Sequence, residues 1–199
     1  MIGGSDRTSA GGIDAVVRRL LPHGGGTITV YAVLLPKTRA TIHLDMVFTL
    51  LAPGVALVHE PVILGPDAVP TVRAHYDSRG AREFRRYDNL LRALDDNGFA
   101  VEPVICGGND RLRQQREQWL SGTNAFAFGP GTFLTYDCND ATLVSLEKAG
   151  FPVRPIDRFI EGTENVESYD RLAVAMEGSN LARGGGGPRC MTLPLRRSR

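Results

Sequence analysis

Cys190 follows four consecutive glycines, Gly184 to Gly187, in the segment RGGGGPRCMTLPL that runs from Arg183 to Leu195. Glycine takes backbone angles closed to other residues, so such a run lets the main chain come close to a small bound molecule. A thiol attacks as its thiolate, which a neighbouring cation favours, and Arg183 and Arg189 are the local cations. The competing reading is a glycine-rich tail with an incidental cysteine, because lone cysteines are usually packing residues. A second cluster lies in TIHLDMVF, where His43 and Asp45 are separated by one residue. In a strand they share a face, which sets a proton-transfer group beside a cation-holding carboxylate. As a metal pair they lack further histidines placed to complete a shell, so neither a metal nor a cofactor is expected. The third candidate is QREQWLSGTN, Gln115 to Asn124, with Arg116, Glu117 and the single tryptophan, Trp119. Ligand contact and a helix end whose tryptophan fills the core are both open there.

The elements that must position these residues are read from periodicity. Ile13, Val16, Val17, Leu20 and Leu21 recur at three- and four-residue spacing and predict a helix, with Thr8 or Ser9 as its N-cap. Thr27 to Leu35 is rich in β-branched and aromatic residues and predicts a strand. Asp45 to Leu51 and Val55 to Glu60, divided by Pro53-Gly54, predict a hairpin. Pro61 to Gly80 has no firm period and reads as a long surface excursion. From Ala81, the pattern Phe84, Tyr87, Leu90, Leu91, Leu94 predicts a helix closed by Gly98, and Phe99 to Ile105 a strand.

The same order then returns. Asn124 to Phe128 and Thr132 to Asp137 flank Pro130-Gly131, a helix capped by Asn139 or Asp140 runs to Gly150, and Phe151 to Ile156 is a strand. NGFAVEPV after the first helix matches AGFPVRPI after the second, an internal strand-strand-helix-strand repeat. The chain thus divides into a partial unit at 1–35, a unit at 45–105, a unit at 124–156 and a closing segment at 157–199, whose last strand is expected at Cys190 to Leu195.

With 199 residues and 42% hydrophobic content, the chain can bury a sizeable core as one domain, with two small domains possible. A formal net charge of +1 gives no global pull toward nucleic acid or an anionic membrane, and Arg196, Arg197 and Arg199 read as a solvated basic end. Cys106, Cys138 and Cys190 are odd in number and widely spaced, which argues against a disulfide framework and for a reducing cytoplasm. The N-terminus lacks the order of a signal peptide, and no apolar run is long enough to cross a bilayer.

TIHLDMVFTLL, REQWLSGTN, TYDCN and RGGGGPRCMTLPL occur in the order found in arginine deiminases, and the opening GGSDRTS resembles that family's arginine-bearing turn. The resemblance spans nearly all of this chain and only the C-terminal part of the family's usual length. It implies a pentein-type α/β propeller of strand-strand-helix-strand units, here incomplete at about three of five. It also implies hydrolysis of arginine to citrulline and ammonia through a covalent thiouronium on the cysteine, which turns one hard substitution into two easier ones.

Matched motif by motif, Cys190 corresponds to the nucleophile and His43 to the acid/base. Asp45 corresponds to a carboxylate that grips the guanidinium, and Arg7 to an arginine that binds the substrate α-carboxylate, a role that suits its bidentate fork. Arg183 is a further candidate for that role. The family's second guanidinium-binding aspartate and a glutamate that supports the histidine lie ahead of the matched segment. Loss of one partner of a buried charge pair costs on the order of 2–5 kcal/mol, so the chain alone is expected to be a poor deiminase. The alternative is a noncatalytic pentein-like binding module, and in-frame upstream coding sequence separates the two. An incomplete propeller would leave a strand edge near Met1 to Ser5, so a homo-oligomer or a complementing chain is the expected partner besides the guanidino substrate.

Overall fold

A computed structural model of the chain describes residues 1–23, 25–193 and 195. The basic end at Arg196, Arg197 and Arg199 lies outside the described residues, as does Gly24 of the loop expected at His23 to Gly26. The elements run β1 (Ile2–Gly4), α1 (Ala10–Leu20), β2 (Ile28–Leu34), β3 (Phe48–Ala52), β4 (Val55–Val58), α2 (Glu60–Ile63), β5 (Thr71–Asp77) and β6 (Gly80–Tyr87). They continue with α3 (Leu90–Asp95), β7 (Glu102–Ile105), α4 (Arg111–Trp119), β8 (Phe126–Gly129), β9 (Thr132–Tyr136), α5 (Asp140–Lys148), β10 (Val153–Pro155), α6 (Asp157–Ile160), β11 (Leu172–Met176) and α7 (Ser179–Arg183). The fold is mixed α/β with three sheets, none of which closes into a barrel among the described residues. Two compact units form: Met1–Leu44 with Pro61–Val101, and Asp45–Glu60 with Glu102–Arg199.

The first unit is built on the sheet β1-β2-β5-β6, in which β1 pairs parallel with β2 and the other neighbours are antiparallel. Among the described residues β1 stands at one end of this sheet and pairs with β2. Helix α1 starts where Ser9 accepts a hydrogen bond from the Gly12 amide at 3.1 Å, leaving its first-turn donors partly satisfied. It buries Ile13 and Val17, with Leu21 behind them, against Val30, Ala74 and Tyr76. Val16 and Leu20, expected on the same face, are each 49% exposed, so the buried stripe is narrower than the sequence spacing implies.

Two expectations for this unit are corrected. The stretch 61–80 is no structureless excursion, because β5 lies inside it and pairs with β2 from Val33 opposite Thr71 to Ile28 opposite Tyr76. The helix expected from Ala81 begins only at Leu90, behind an N-cap at Asn89 whose carboxamide accepts from the Arg92 amide at 2.9 Å. Residues 80–87 form a strand instead: Asp77 accepts from the Arg79 amide in a tight turn, and the returning chain pairs with β5. Phe84 is accordingly 65% exposed and not on a buried helical face. Helix α3 packs on β2, β5 and β6.

In the second unit β3, β4 and β7 form one sheet and β10, β11, β9 and β8 another. Leu51, Val55, Leu57, Val104, Phe133, Leu146, Phe151 and Ala173 make a shared core, where the rings of Phe133 and Phe151 meet edge-on at 5.3 Å. The two hairpins fall where expected, β3-β4 about Pro53-Gly54 and β8-β9 about Pro130-Gly131. So do both helix ends: Gly98 and Gly150 take φ +78° and +82°. The amides of Phe99 and Phe151 reach back to the carbonyls of Leu94 and Leu146 at 2.9 and 3.0 Å. This left-handed ending explains why NGF and AGF recur. The strand expected at Cys190 to Leu195 is absent among the described residues; the last strand is β11, inserted between β9 and β10, and Cys190 lies in a turn beyond α7.

Candidate active site

The sequence-derived site residues fall in both units. In the first, Arg7 is exposed in the turn between Ser5 and Thr8, which pair as an isolated bridge. The Ser5 hydroxyl accepts from the Arg7 amide at 3.2 Å and donates to the Ile42 carbonyl at 2.7 Å. One side chain thus ties the arginine-bearing turn to the backbone just ahead of His43, whose side chain is exposed. The segment around His43 and Asp45 is not a strand: it forms two single 3-10 turns, Arg39–Thr41 and Leu44–Met46, before β3 begins at Phe48. The shared-face argument from alternation therefore does not apply to this pair.

In the second unit, Asp45 and Cys190 are brought into one cluster by Thr123, Asn124 and Arg189. The Thr123 hydroxyl donates to the Asp45 carbonyl at 3.1 Å, and the Arg189 Nε lies 3.6 Å from Asp45 Oδ2. Asp45 Oδ1 is buried and has no hydrogen-bond partner among the described residues. Next along the chain, Asn124 is completely buried. Its Oδ1 accepts from the amides of Gly187 and Cys190 at 3.1 and 3.2 Å, and its Nδ2 lies 3.2 Å from the Cys190 sulfur. The glycine run has a steric reason here: a Cβ on Gly187 would stand 2.7 Å from both Cβ and Oδ1 of Asn124. From the other side the Tyr136 hydroxyl donates to the Gly186 carbonyl at 3.4 Å. Burial pushes the Tyr136 phenol up, and the neighbouring Cys190, Cys138 and Glu177 add to the rise.

Cys190 is exposed, whereas Cys106 is buried and Cys138 half-buried. Burial pushes the Cys106 thiol up to about 12, with the nearby Glu117 charge adding and the Thr142 hydrogen bond opposing. The Cys138 thiol is also raised, first by burial and then by Asp137. Arg183 is exposed at the end of α7, and the cation against Asp45 is Arg189.

The REQW segment takes a structural part. Glu117 is buried, and its carboxylate accepts from the amides of Ala141 and Thr142 at 2.9 and 2.8 Å and from the Thr142 hydroxyl at 2.6 Å. A carboxylate over unpaired amides is favoured at a helix N-terminus, and Glu117 does for α5 what Asn139, with no side-chain cap bond, does not. Trp119, weighed in the sequence as a core filler, is 55% exposed, because the buried face of α4 carries Gln114, Glu117 and Gln118 instead.

Two residues of this unit carried no sequence signal. Asn124 ended the quoted motif without a role, since its partners lie more than sixty residues away. His59, buried just after β4 with Nδ1 unpartnered among the described residues, is lowered to about 4 by burial first and by Arg111 second, with Glu60 opposing. Among the described residues, no three His, Cys, Asp or Glu side chains gather as metal ligands, and no helix is long and apolar enough to cross a membrane.

The second unit thus presents an exposed cysteine on a glycine loop in one cluster with a buried aspartate oxygen. The family model for arginine deiminase matches residues 1–197, and the chain belongs to that family. It is 33% identical over 200 residues to an arginine deiminase of Treponema denticola, covering 98% of this chain and 43% of the relative. The arginine deiminases of Oenococcus oeni and Mycoplasma capricolum are 31% and 35% identical over 198 residues, with the same coverage. The chain spans 43% of the length of these curated relatives.

Proposed function

We propose that the chain supplies the nucleophile-bearing part of an arginine deiminase, a hydrolase that cleaves a guanidino C–N bond. The Cys190 thiolate attacks the central guanidinium carbon. The bond to one terminal nitrogen breaks, and ammonia leaves with a proton from His43, giving a thiouronium on Cys190. Water, deprotonated by His43, then adds to the same carbon, the C–S bond breaks, and citrulline leaves as the thiolate is restored. Asp45 holds the guanidinium, Arg7 the α-carboxylate of arginine, and Arg183 is a second candidate for that carboxylate. The observation that carries this reading is the Asp45 and Cys190 cluster of the second unit, where a buried unpartnered carboxylate oxygen and an exposed thiol are organised by consecutive residues, Thr123 and Asn124.

The stretches 45–105 and 124–156 are read as two strand-strand-helix-strand units of a pentein-type propeller, with 1–35 as a partial unit and 157–199 as a closing segment of one domain. The hairpins and the two like helix ends support the repeat. Because the match covers 43% of the relatives, we propose that full turnover draws on polypeptide corresponding to the rest of their length, from the same or a complementing chain. The same coverage favours a second reading, a binding module without catalysis. Ammonia and citrulline release from arginine, measured for this chain with and without the relatives' remaining portion, separates them. Release that Cys190→Ser abolishes supports the hydrolase, and arginine binding by calorimetry with no release from either preparation supports the module.

A further inference from the structure

We propose that Asn124 is a positioning residue for Cys190, one that sets the orientation of its loop and favours the ionised form of its sulfur; the proposal rests on the reading of Cys190 as the nucleophile. The amide orientation is fixed by its partners. Two backbone N–H groups, those of Gly187 and Cys190, can only donate, so the atom they face must be Oδ1. Nδ2 is then turned toward Cys190 at 3.2 Å, and an amide nitrogen can only donate, so the sulfur is its acceptor. A hydrogen bond to a charged acceptor is stronger than one to a neutral acceptor, and the contact therefore favours thiolate over thiol.

The arrangement is closed against slippage. Asn124 is completely buried, so its amide has no water to turn toward, and Gly187 approaches it more closely than any residue with a Cβ allows. The backbone of residue 124 is used as well, since its carbonyl accepts from the Arg189 amide at 3.5 Å. One side chain thus holds the amides on both sides of Pro188-Arg189 and the sulfur itself. Of the two local cations, Arg183 is exposed at the end of α7 and Arg189 lies against Asp45 at 3.6 Å.

The test is the pH dependence of Cys190 alkylation by iodoacetamide in the full chain, followed by peptide mass spectrometry, which needs no turnover and so stands apart from the deiminase reading. Asn124→Leu keeps the bulk of the side chain and removes its donor and its acceptor without placing a charge beside the sulfur. The midpoint of the Cys190 alkylation profile is expected to move up by about one pH unit or more, the size of a hydrogen bond to a charged group, while circular dichroism stays that of the parent. Gly187→Ala, which drives the loop off an intact Asn124, is expected to shift the midpoint the same way and decides the matter if the leucine variant does not fold. A folded variant of either kind whose midpoint stays within about 0.3 pH unit of the parent, too small for such a bond, overturns the proposal and leaves Asn124 a packing residue. If the midpoint shifts and arginine is nevertheless not hydrolysed even when the relatives' remaining portion is supplied, the positioning role stands and the deiminase reading falls.

Discussion

The Glu117 carboxylate and the Thr142 hydroxyl meet at 2.6 Å in the buried interior of the second unit, and the same Thr142 oxygen accepts from the Gly107 amide at 2.8 Å. An acidic residue on α4 thereby caps α5 and fixes the turn after β7. Each element here lacks an internal partner for the group it offers, so the three are stabilised together or not at all.

Glu117→Gln removes the charge and one of the two acceptor oxygens, leaving a helix-end amide unpaired in a dry site. We expect a loss of about 1–3 kcal/mol in urea unfolding, the cost of a buried unsatisfied donor. Glu161→Gln, at an exposed position, is the control and should stay within about 0.5 kcal/mol.

His59 gives the fold an acid sensitivity of its own. Its folded value of about 4 lies below the ordinary 6.5, so between those values the unfolded chain binds a proton that the folded chain refuses. Stability is then intact above pH 6.5 and falls as the pH drops toward 4, by on the order of 3 kcal/mol for a shift of this size. Between pH 7.5 and 5.0, the parent should lose about 2 kcal/mol more than His59→Gln in urea titrations. Equal losses would mean that His59 is protonated in the fold.

The hairpins and the helix ends were legible because their signals are local. A Pro-Gly pair between apolar runs, or a glycine followed by phenylalanine at a helix end, is decided within a few residues, and both copies of each fell where the sequence put them. Strand β6 was not legible. Phe84, Tyr87 and Leu90 match a helical period by coincidence, while what makes 80–87 a strand is pairing with β5 across a turn, and Arg85 covers the Tyr87 ring from solvent at 4.8 Å. Asp45 and Cys190, singled out in the sequence, lie in one cluster, and the residues that join them there were not legible. Asn124 and Glu117 work through partners distant in sequence, and a buried polar side chain leaves no period. The surroundings of Cys190 were misread as a strand because the apolar alternation from Met191 finds no partner strand among the described residues, and Asn124 holds a turn there instead.

Three thiols in one chain give a direct comparison of environments. At pH 8, iodoacetamide should modify Cys190 first, Cys138 more slowly and Cys106 only on unfolding, since Cys106 is buried and raised to about 12. Cys138 reacting as fast as Cys190 would remove the kinetic distinction on which the nucleophile assignment leans.

The most direct test of the account is to trap the bond it requires. The full chain, supplemented with the portion of a relative that lies outside the match, is incubated with guanidino-labelled arginine, quenched in acid and digested for mass spectrometry. The account predicts an adduct of arginine less ammonia on the Cys190 peptide, none on the peptides of Cys106 and Cys138, and neither adduct nor citrulline in Cys190→Ser. Citrulline formed at an undiminished rate by Cys190→Ser would contradict it.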